Sequence, residues 1–418
     1  MGSGEDIQGH ALPPARCDLA IVGGGILGLA LARELTRRHP RLSLCVLERE
    51  VELAAHQSAH NSGVIHAGVY YPPGSLKARL CVAGSRELYA YCETHAIPHL
   101  ACGKTIVATD PAELARLREL HRRAAANGVP GLRMLDVRGI EVVEPHARGV
   151  AALHSPRTGI VDFRALARSF ARDALAQGAA IASGCEVMGV EVLPRALRLR
   201  HNAGHGTTEA RHAIFCAGAW SDRLARRAGA PADPRIVPFR GAYLRLAPAH
   251  RRLVRALIYP VPDPSLPFLG VHLTRHIDGE LLIGPTALLA PARDAYRLGG
   301  VRAKDLWETL SWPGTWRMLA RWWRTGVAEL RHALSPEALV RAAARYVPEL
   351  RGAAVEQAFA GVRAQALGRD GALLDDFAFS ATERALHVRN APSPGATSAL
   401  TIARHVAERA ERAFALGG

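Results

Sequence analysis

An α/β fold that opens on a parallel strand-helix-strand unit is what this sequence predicts, and three observations near its N-terminus carry that reading. Asp18 to Val22 form an apolar run of strand length, and Gly23-Gly24-Gly25-Ile26-Leu27-Gly28 follows at once. A helical stretch runs from Ile26 to about Arg38, and a second apolar strand, Leu42 to Leu47, ends on Glu48, 20 positions beyond Gly28. This is G-x-G-x-x-G with a strand before it, a helix after it and an acidic residue at the expected distance, the signature of a Rossmann-like dinucleotide site. Gly23 allows the tight turn, Gly25 lets a pyrophosphate approach the backbone, and Gly28 lets helix and strand pack closely. The helix start then offers free N–H groups and partial positive charge to phosphate. Glu48 would accept hydrogen bonds from a ribose diol and repel a 2′-phosphate.

The rest of the composition limits the alternatives. A chain of 418 residues, 49% hydrophobic, is too long and too apolar for a disordered or disulfide-scaffold protein, and single cores stop growing at about 250 to 300 residues, so two or so domains are expected. The net charge of +15 points to nucleic acid or an anionic surface as possible partners. However, all but Lys77, Lys104 and Lys304 of the 53 cationic residues are arginines, spread through nearly every helical stretch, so biased codon usage explains the charge as well. Seven cysteines, an odd number with no C-x-x-C pair, indicate neither a disulfide framework nor a zinc site, and reduced thiols in a cytoplasmic compartment are expected. The longest uncharged apolar run, Leu19 to Ala32, is too short to span a bilayer, which takes about 20 residues. Glu5, Asp6 and Asp18 against Arg16 give the wrong charge for an export signal, so neither a signal nor a transmembrane helix is expected.

Two later segments favour a flavin dinucleotide over a nicotinamide one. Ala213 to Ala217 read as a short strand running into Gly218-Ala219-Trp220, where small residues admit a cofactor. Leu386 to Asn390 read as a strand, Pro392 to Gly395 as a turn and Ala396 to Ala413 as a helix. That helix start could face the pyrimidine edge of a flavin, whose reduced form is negative at N1. No second G-x-G-x-x-G follows a strand, so one dinucleotide is expected.

The segment His56 to Lys77, HQSAHNSGVIHAGVYYPPGSLK, is dense in histidine, tyrosine and proline and lacks amphipathic period. Together with Gly23 to Gly28 it resembles the D-amino-acid-oxidase-like FAD superfamily, and within it the L-2-hydroxyglutarate dehydrogenase family. The likeness continues through CGKTIVAT (Cys102 to Thr109), VPFRGAYLRL (Val237 to Leu246), IYPVPDPSLPFLGVHLTRHIDG (Ile258 to Gly279), GVRAQAL (Gly361 to Leu367) and NAPSPGATSA (Asn390 to Ala399). It departs at Ala242, where the family pattern is acidic, and at Thr286, where it has asparagine; either change could alter substrate preference.

The resemblance implies an FAD-binding domain over 16–98, 146–232 and 357–418, a mainly antiparallel substrate domain over 99–145 and 233–356, and a flexible segment at 1–15. It implies FAD contacts from Gly23, Gly25, Gly28, Glu48, Asn61, Ser62, Gly63, Val187, Gly218, Pro394, Gly395, Ala396 and Thr397. His66 is the first choice for a base that removes the substrate hydroxyl proton while hydride leaves C2 for flavin N5. Its alternative is a histidine that only supports the loop or the cofactor. Arg240 and Arg363 are the expected carboxylate clamps, since guanidinium forks fit carboxylates in bidentate fashion. Lys77, Arg79, Tyr259 and His272 rank second. His56 and His60, at i and i+4, read as structural, and no metal is expected.

The implied reaction is FAD-dependent oxidation of (S)-2-hydroxyglutarate, a 2-hydroxydicarboxylate, to 2-oxoglutarate, with electrons passed to a quinone or similar acceptor. Oxidation of another 2-hydroxy acid or an amino acid is the nearest alternative. An RNA-binding flavoprotein of tRNA modification, prompted by the charge, and a cofactor-binding protein without turnover come from other classes. Trp307, Trp312, Trp316, Trp322 and Trp323 fall in one arginine-rich stretch, with Trp312, Trp316 and Trp323 expected on one helical face. Packing on the substrate domain is the preferred reading of these rings. Peripheral contact with the inner face of the cytoplasmic membrane is the other.

Overall fold

The structure is a computed structural model that describes residues 12–416. Of the 1–15 segment expected to be flexible, residues 1–11 lie outside the described part. β1 (Arg16–Val22), α1 (Ile26–Arg38) and β2 (Leu44–Leu47) form the expected unit. β1 pairs in parallel with β2 on one side and with the strand Thr207–Phe215 on the other. Ala180–Ala182 adds outside β2, and Ala385–Asn390 adds beside Thr207–Phe215, both in parallel. Antiparallel strands Val187–Val192, Leu197–His201 and Ala378–Ala381 complete this eight-stranded sheet. Side by side and parallel, five strands end at one edge, where ligands of such sheets bind.

α1 explains the longest apolar run in the chain. Leu29, Ala30, Leu31 and Ala32 are no more than 1% exposed, because α1 lies between the sheet and the helices Phe163–Ala176 and Ala399–Phe414. A helix covered on every side loses its polar face.

The second sheet has nine strands and covers the first domain's ligand edge. Its order is Leu288–Leu289, Arg235–Leu246, Leu281–Gly284, His272–Arg275, Leu257–Pro260, Lys104–Ala108, Ala151–Ser155 and Arg133–Leu135, with Val355–Leu367 also paired to Arg235–Leu246. Every pairing is antiparallel except that of Leu257–Pro260 with Lys104–Ala108. The expected domain limits need correction at two places. Ala151–Ser155 and Val355–Leu367 belong to this second sheet, because their ladder partners, Lys104–Ala108 and Arg235–Leu246, lie there. An ion network, buried at Arg293, Asp222 and Asp305, ties the two domains: Arg293 pairs with Asp222 and Glu308, and Arg223 with Asp305 and Glu308.

No helix among the described residues is long and apolar enough to cross a membrane. The tryptophan-rich stretch folds differently from its expected single face. Pro313 starts a new helix, Pro313–Leu334, so Trp312 stands before it as the N-cap residue, and the backbone breaks again at Trp322. Trp312 is 3% exposed, donates its ring N–H to the Leu367 carbonyl at 3.1 Å and carries the Arg235 guanidinium on its face. Trp316 and Trp323 are each 58% exposed. The expected trio therefore splits into one core ring and two surface rings. Trp312→Ala should lower stability to denaturant by about 3 to 5 kcal/mol, whereas Trp316→Ser should change it by no more than about 0.5 kcal/mol. Equal effects in the two variants would contradict this placement.

Candidate active site

The edge of the first sheet and the face of the second enclose a cavity of about 1200 Å³, larger than the usual site for one small ligand at roughly 300 to 1,000 Å³. Gly23, Gly25, Glu48, Ser62, Val187, Gly218 and Pro394 to Thr397 line one part of it, and His66, Lys77, Tyr243, Tyr259, His272 and Arg363 another.

Three glycines begin the cradle, each for its own reason. Gly23 has φ +114°, and a Cβ there would stand 2.4 Å from the Cys216 carbonyl oxygen. A Cβ on Gly28 would meet the Gly23 carbonyl oxygen at 1.9 Å, so this glycine sets how closely α1 lies on β1. At Gly25 a Cβ would touch only Ser58 Oγ, at 3.4 Å. The protein itself therefore tolerates a side chain at Gly25, and the open space belongs to the cavity. α1 has no acidic residue in its first turn and no side-chain cap bond from Gly25. Its positive end remains available to phosphate. Glu48, 7% exposed at the end of β2, accepts from the N–H groups of Gly24 and Glu50. Burial pushes its carboxyl pKa up, opposed by those two bonds. These residues fit a dinucleotide.

The loop after β2 is self-supporting. Asn61 spends its side chain inside the loop, donating to the Gln57 and Ser58 carbonyls and accepting from Gly63 N–H at 2.8 Å. Gly63, with φ +69°, packs on the Val161 carbonyl and does not line the cavity. Ser58 accepts from Ile26 N–H at 2.9 Å and so fixes the loop to the start of α1. His56 and His60 line the cavity and are held by protein partners. His56 bridges Tyr296 and Glu50, each at 2.8 Å, and the His60 ring stacks on Tyr296. On the opposite wall the C-terminal helix begins at Ala399, so Pro394 to Thr397 form a turn before it. Thr397 Oγ1 accepts from His66 N–H at 3.1 Å and donates to the Val64 carbonyl.

The second part of the cavity gathers most of the expected reacting groups. His66 Nε2 lies 3.2 Å from Ser393 Oγ, while its Nδ1 has no partner. Burial, then the charges of Lys104, His272 and Lys77, bring its pKa down to about 3. His272 is brought down to about 3 as well, chiefly by burial. Its Nδ1 lies 2.9 Å from the Gly270 carbonyl and so carries the proton, which leaves Nε2 as an acceptor. Its ring stacks on Tyr259 at 3.9 Å. Lys77 donates to Asp375 at 2.9 Å. Arg363 lies over the Phe268 ring, and burial pushes the Tyr243 hydroxyl pKa up while the neighbouring Arg363 and Ser62 oppose that rise.

Arg240 stands apart from this group. In the ladder between Arg235–Leu246 and Val355–Leu367, Phe239 lies opposite Arg363 and Arg240 opposite Val362. Neighbouring positions on a strand point to opposite faces, so the two arginines cannot converge. Arg240 reaches instead to the Tyr296 carbonyl, at 3.3 Å from its terminal nitrogen. The two departures from the family pattern pair with each other: Thr286 Oγ1 accepts from Ala242 N–H at 3.0 Å, and Thr286 N–H donates back to the Ala242 carbonyl. Neither lines the cavity, although Gly241, Tyr243 and Pro285 beside them do. Ser58, Tyr70, Tyr243 and Ser393 were not among the expected site residues; no pattern in their own sequence surroundings marks them.

Together the sheet edge, the glycine turn and the shared cavity define a dinucleotide-dependent oxidoreductase. Residues 18–409 match the family described as DAO, FAD dependent oxidoreductase. L-2-hydroxyglutarate dehydrogenase, mitochondrial, of Nematostella vectensis is 46% identical, covering 99% of this chain and 95% of that protein. Its Homo sapiens counterpart is 43% identical over 96% and 89%, and L-2-hydroxyglutarate dehydrogenase of Escherichia coli 42% over 95% and 94%. Among solved structures, L-alpha-glycerophosphate oxidase of Mycoplasma pneumoniae with FAD bound superposes with a TM-score of 0.76 at 24% identity, over 94% of each chain. The chain belongs to the DAO family of FAD-dependent oxidoreductases, and within it to the L-2-hydroxyglutarate dehydrogenase family.

The cradle makes a selective prediction. Gly25→Val should fold normally and lose its flavin, because the added side chain meets ligand space and little else. Gly28→Val should impair folding itself. Flavin content after denaturation, together with a thermal melt, separates the two. A Gly25→Val protein with full flavin would contradict the assignment of the cradle.

Proposed function

We propose that this protein oxidises (S)-2-hydroxyglutarate to 2-oxoglutarate. The observation that carries this reading is one continuous cavity joining a dinucleotide cradle to a wall of cations and uncharged imidazoles. The 42 to 46% identity to proteins bearing the dehydrogenase name supports the same substrate. FAD held by the cradle supplies the two-electron acceptor for the hydride from the substrate's C2.

The chain's own side chains do the rest. Arg363 takes a carboxylate, fixed in place by Phe268 and Tyr243, and Lys77 adds a second cation at the cavity wall. His66 is the proton acceptor for the C2 hydroxyl, with His272 as the second candidate. Both are uncharged at neutral pH, as an acceptor must be. A pKa of about 3 makes His66 a weak base in isolation, and the negative charge of a bound dicarboxylate raises it toward the working range. Arg240 acts through structure: by holding the Tyr296 backbone it supports the stacked His56 and His60, and through them the loop that walls the cradle.

Electrons then leave for a quinone or a similar acceptor. Trp316 before the break at Trp322, and Trp323, Val327, Leu330 and Leu334 after it, are exposed on the kinked segment Pro313–Leu334, which also carries Arg317, Arg321 and Arg324. Aromatic and aliphatic side chains beside arginines suit peripheral contact with an anionic bilayer, which would bring the protein to the inner face of the cytoplasmic membrane.

Two measurements test these assignments. In anaerobic rapid mixing, Arg363→Ala should lower the apparent second-order rate of flavin reduction by about 2 to 5 kcal/mol equivalent. His66→Ala should slow reduction by about 10² to 10⁴ with flavin retained. Arg240→Ala should leave the rate within a few fold but lower thermal stability. Wild-type rates in both the Arg363 and His66 variants would remove those residues from the site. For the membrane reading, the protein should sediment with anionic vesicles and a Trp316→Ser, Trp323→Ser double variant should not. Wild type that stays in the supernatant would end that reading.

A further inference from the structure

Lys104 is 1% exposed, at the start of a strand held between Leu257–Pro260 and Ala151–Ser155, where it lies opposite Leu257 and Ser155. Its Nζ sits 4.3 Å from the centre of the Tyr70 ring and 4.9 Å from that of Tyr259. Among the described residues it has no carboxylate partner; the one ionisable group that favours its charge is the Cys81 thiol. Burying a lone cation is costly, and a fold keeps one where the charge has a use. The rings beside it are part of the site. Tyr70 and Tyr259 both line the cavity, the Tyr70 hydroxyl is buried without a partner, and Tyr259 stacks directly on His272.

The titratable groups that interact with Lys104 are Tyr70 and His66 from the segment after Ile65, Cys81 from the helix Leu76–Thr94, and Tyr259 and His272 from their strands; Lys77, on the same helix as Cys81, also acts on His66. The charge of Arg363 also acts on His272.

We propose that Lys104 is a positioning residue for the oxidation: an ammonium set behind Tyr70 and Tyr259 that fixes those two rings at the wall of the site and adds positive potential where a dicarboxylate binds. It does not itself line the cavity, so it acts through its field and through the two rings. Cation and ring quadrupole attract, which also fixes the tilt of Tyr70 and Tyr259. Burial brings the Lys104 pKa down to about 7, so its charge is present at mildly acidic pH and lost as pH rises through neutrality.

The proposal rests on the dehydrogenase reading, and its test separates the two. Flavin reduction by subsaturating (S)-2-hydroxyglutarate is followed anaerobically from about pH 5.5 to about pH 9.5. Wild type should show a basic limb, its rate falling as pH rises through about 7. Lys104→Met should have no such limb and run about tenfold slower at the acidic end, with flavin retained. Lys104→Arg, which stays charged throughout, should keep the rate and carry it undiminished to high pH. A Lys104→Met protein with wild-type rate and the same limb would overturn the proposal while leaving the dehydrogenase reading intact. Wild type unreduced at every pH would overturn that reading and the proposal with it. Should the methionine variant lose its flavin, the wild-type limb and its absence from the arginine variant decide the matter.

Discussion

The close approach of α1 to β1 is the constraint on which the rest of the structure depends. Gly28 makes it possible by letting the helix backbone rest on the Gly23 carbonyl, and the burial of Leu29 to Ala32 holds it there. Once the helix is fixed, its open N-terminus faces the edge where five parallel strands end. The loops leaving those strands, at Glu48, Gly218 and Pro394, converge on the same space. The second sheet then need only cover that edge to complete a closed site. Its strands supply Arg363, Tyr259 and His272, while the loop after β2 and the helix that follows it supply His66 and Lys77.

Desolvation sets the chemistry of the covered side. Imidazoles that titrate near neutrality in water are held uncharged by burial and by nearby cations, and tyrosines are kept protonated by the same burial. An anionic substrate therefore meets cations that are poorly screened and bases that are free to accept a proton. In water the same residues would be weaker clamps and partly protonated bases. The charge arrangement suits a substrate with carboxylates and a hydroxyl to lose, and both the second sheet and the segment His66 to Lys77 contribute to it. The fold of both sheets together is shared with the glycerophosphate oxidase at 24% identity, over 94% of each chain.

Much of the first domain was legible because its signal is local. Glycines at fixed offsets, a strand on either side and an acidic residue after the second strand report a single βαβ unit, and Gly23, Gly25, Gly28 and Glu48 all stand where that unit requires. The reacting side was legible only through the long matched segments, because its members come from separate strands and no periodicity links them. Arg240 illustrates the limit. It lies in a matched segment just as Arg363 does, and only the strand register shows that the two point to opposite faces. Trp312 shows another: helical spacing linked it to Trp316, but Pro313 starts the helix after it and leaves its ring in the core. Lys104 was visible in CGKTIVAT as one of three lysines, yet nothing in a sequence says that a cation is buried without a counter-ion.

The central claim is that a flavin held at α1 is reduced by one enantiomer of a 2-hydroxydicarboxylate. Its most direct test is anaerobic titration of the purified protein with (S)-2-hydroxyglutarate, with (R)-2-hydroxyglutarate and with glutamate, reading the flavin absorbance and assaying 2-oxoglutarate. The account predicts bleaching by the S enantiomer alone, with 2-oxoglutarate formed in equal amount to the flavin reduced. Bleaching by glutamate or by the R enantiomer in preference to the S form, or none by the S form, would contradict it.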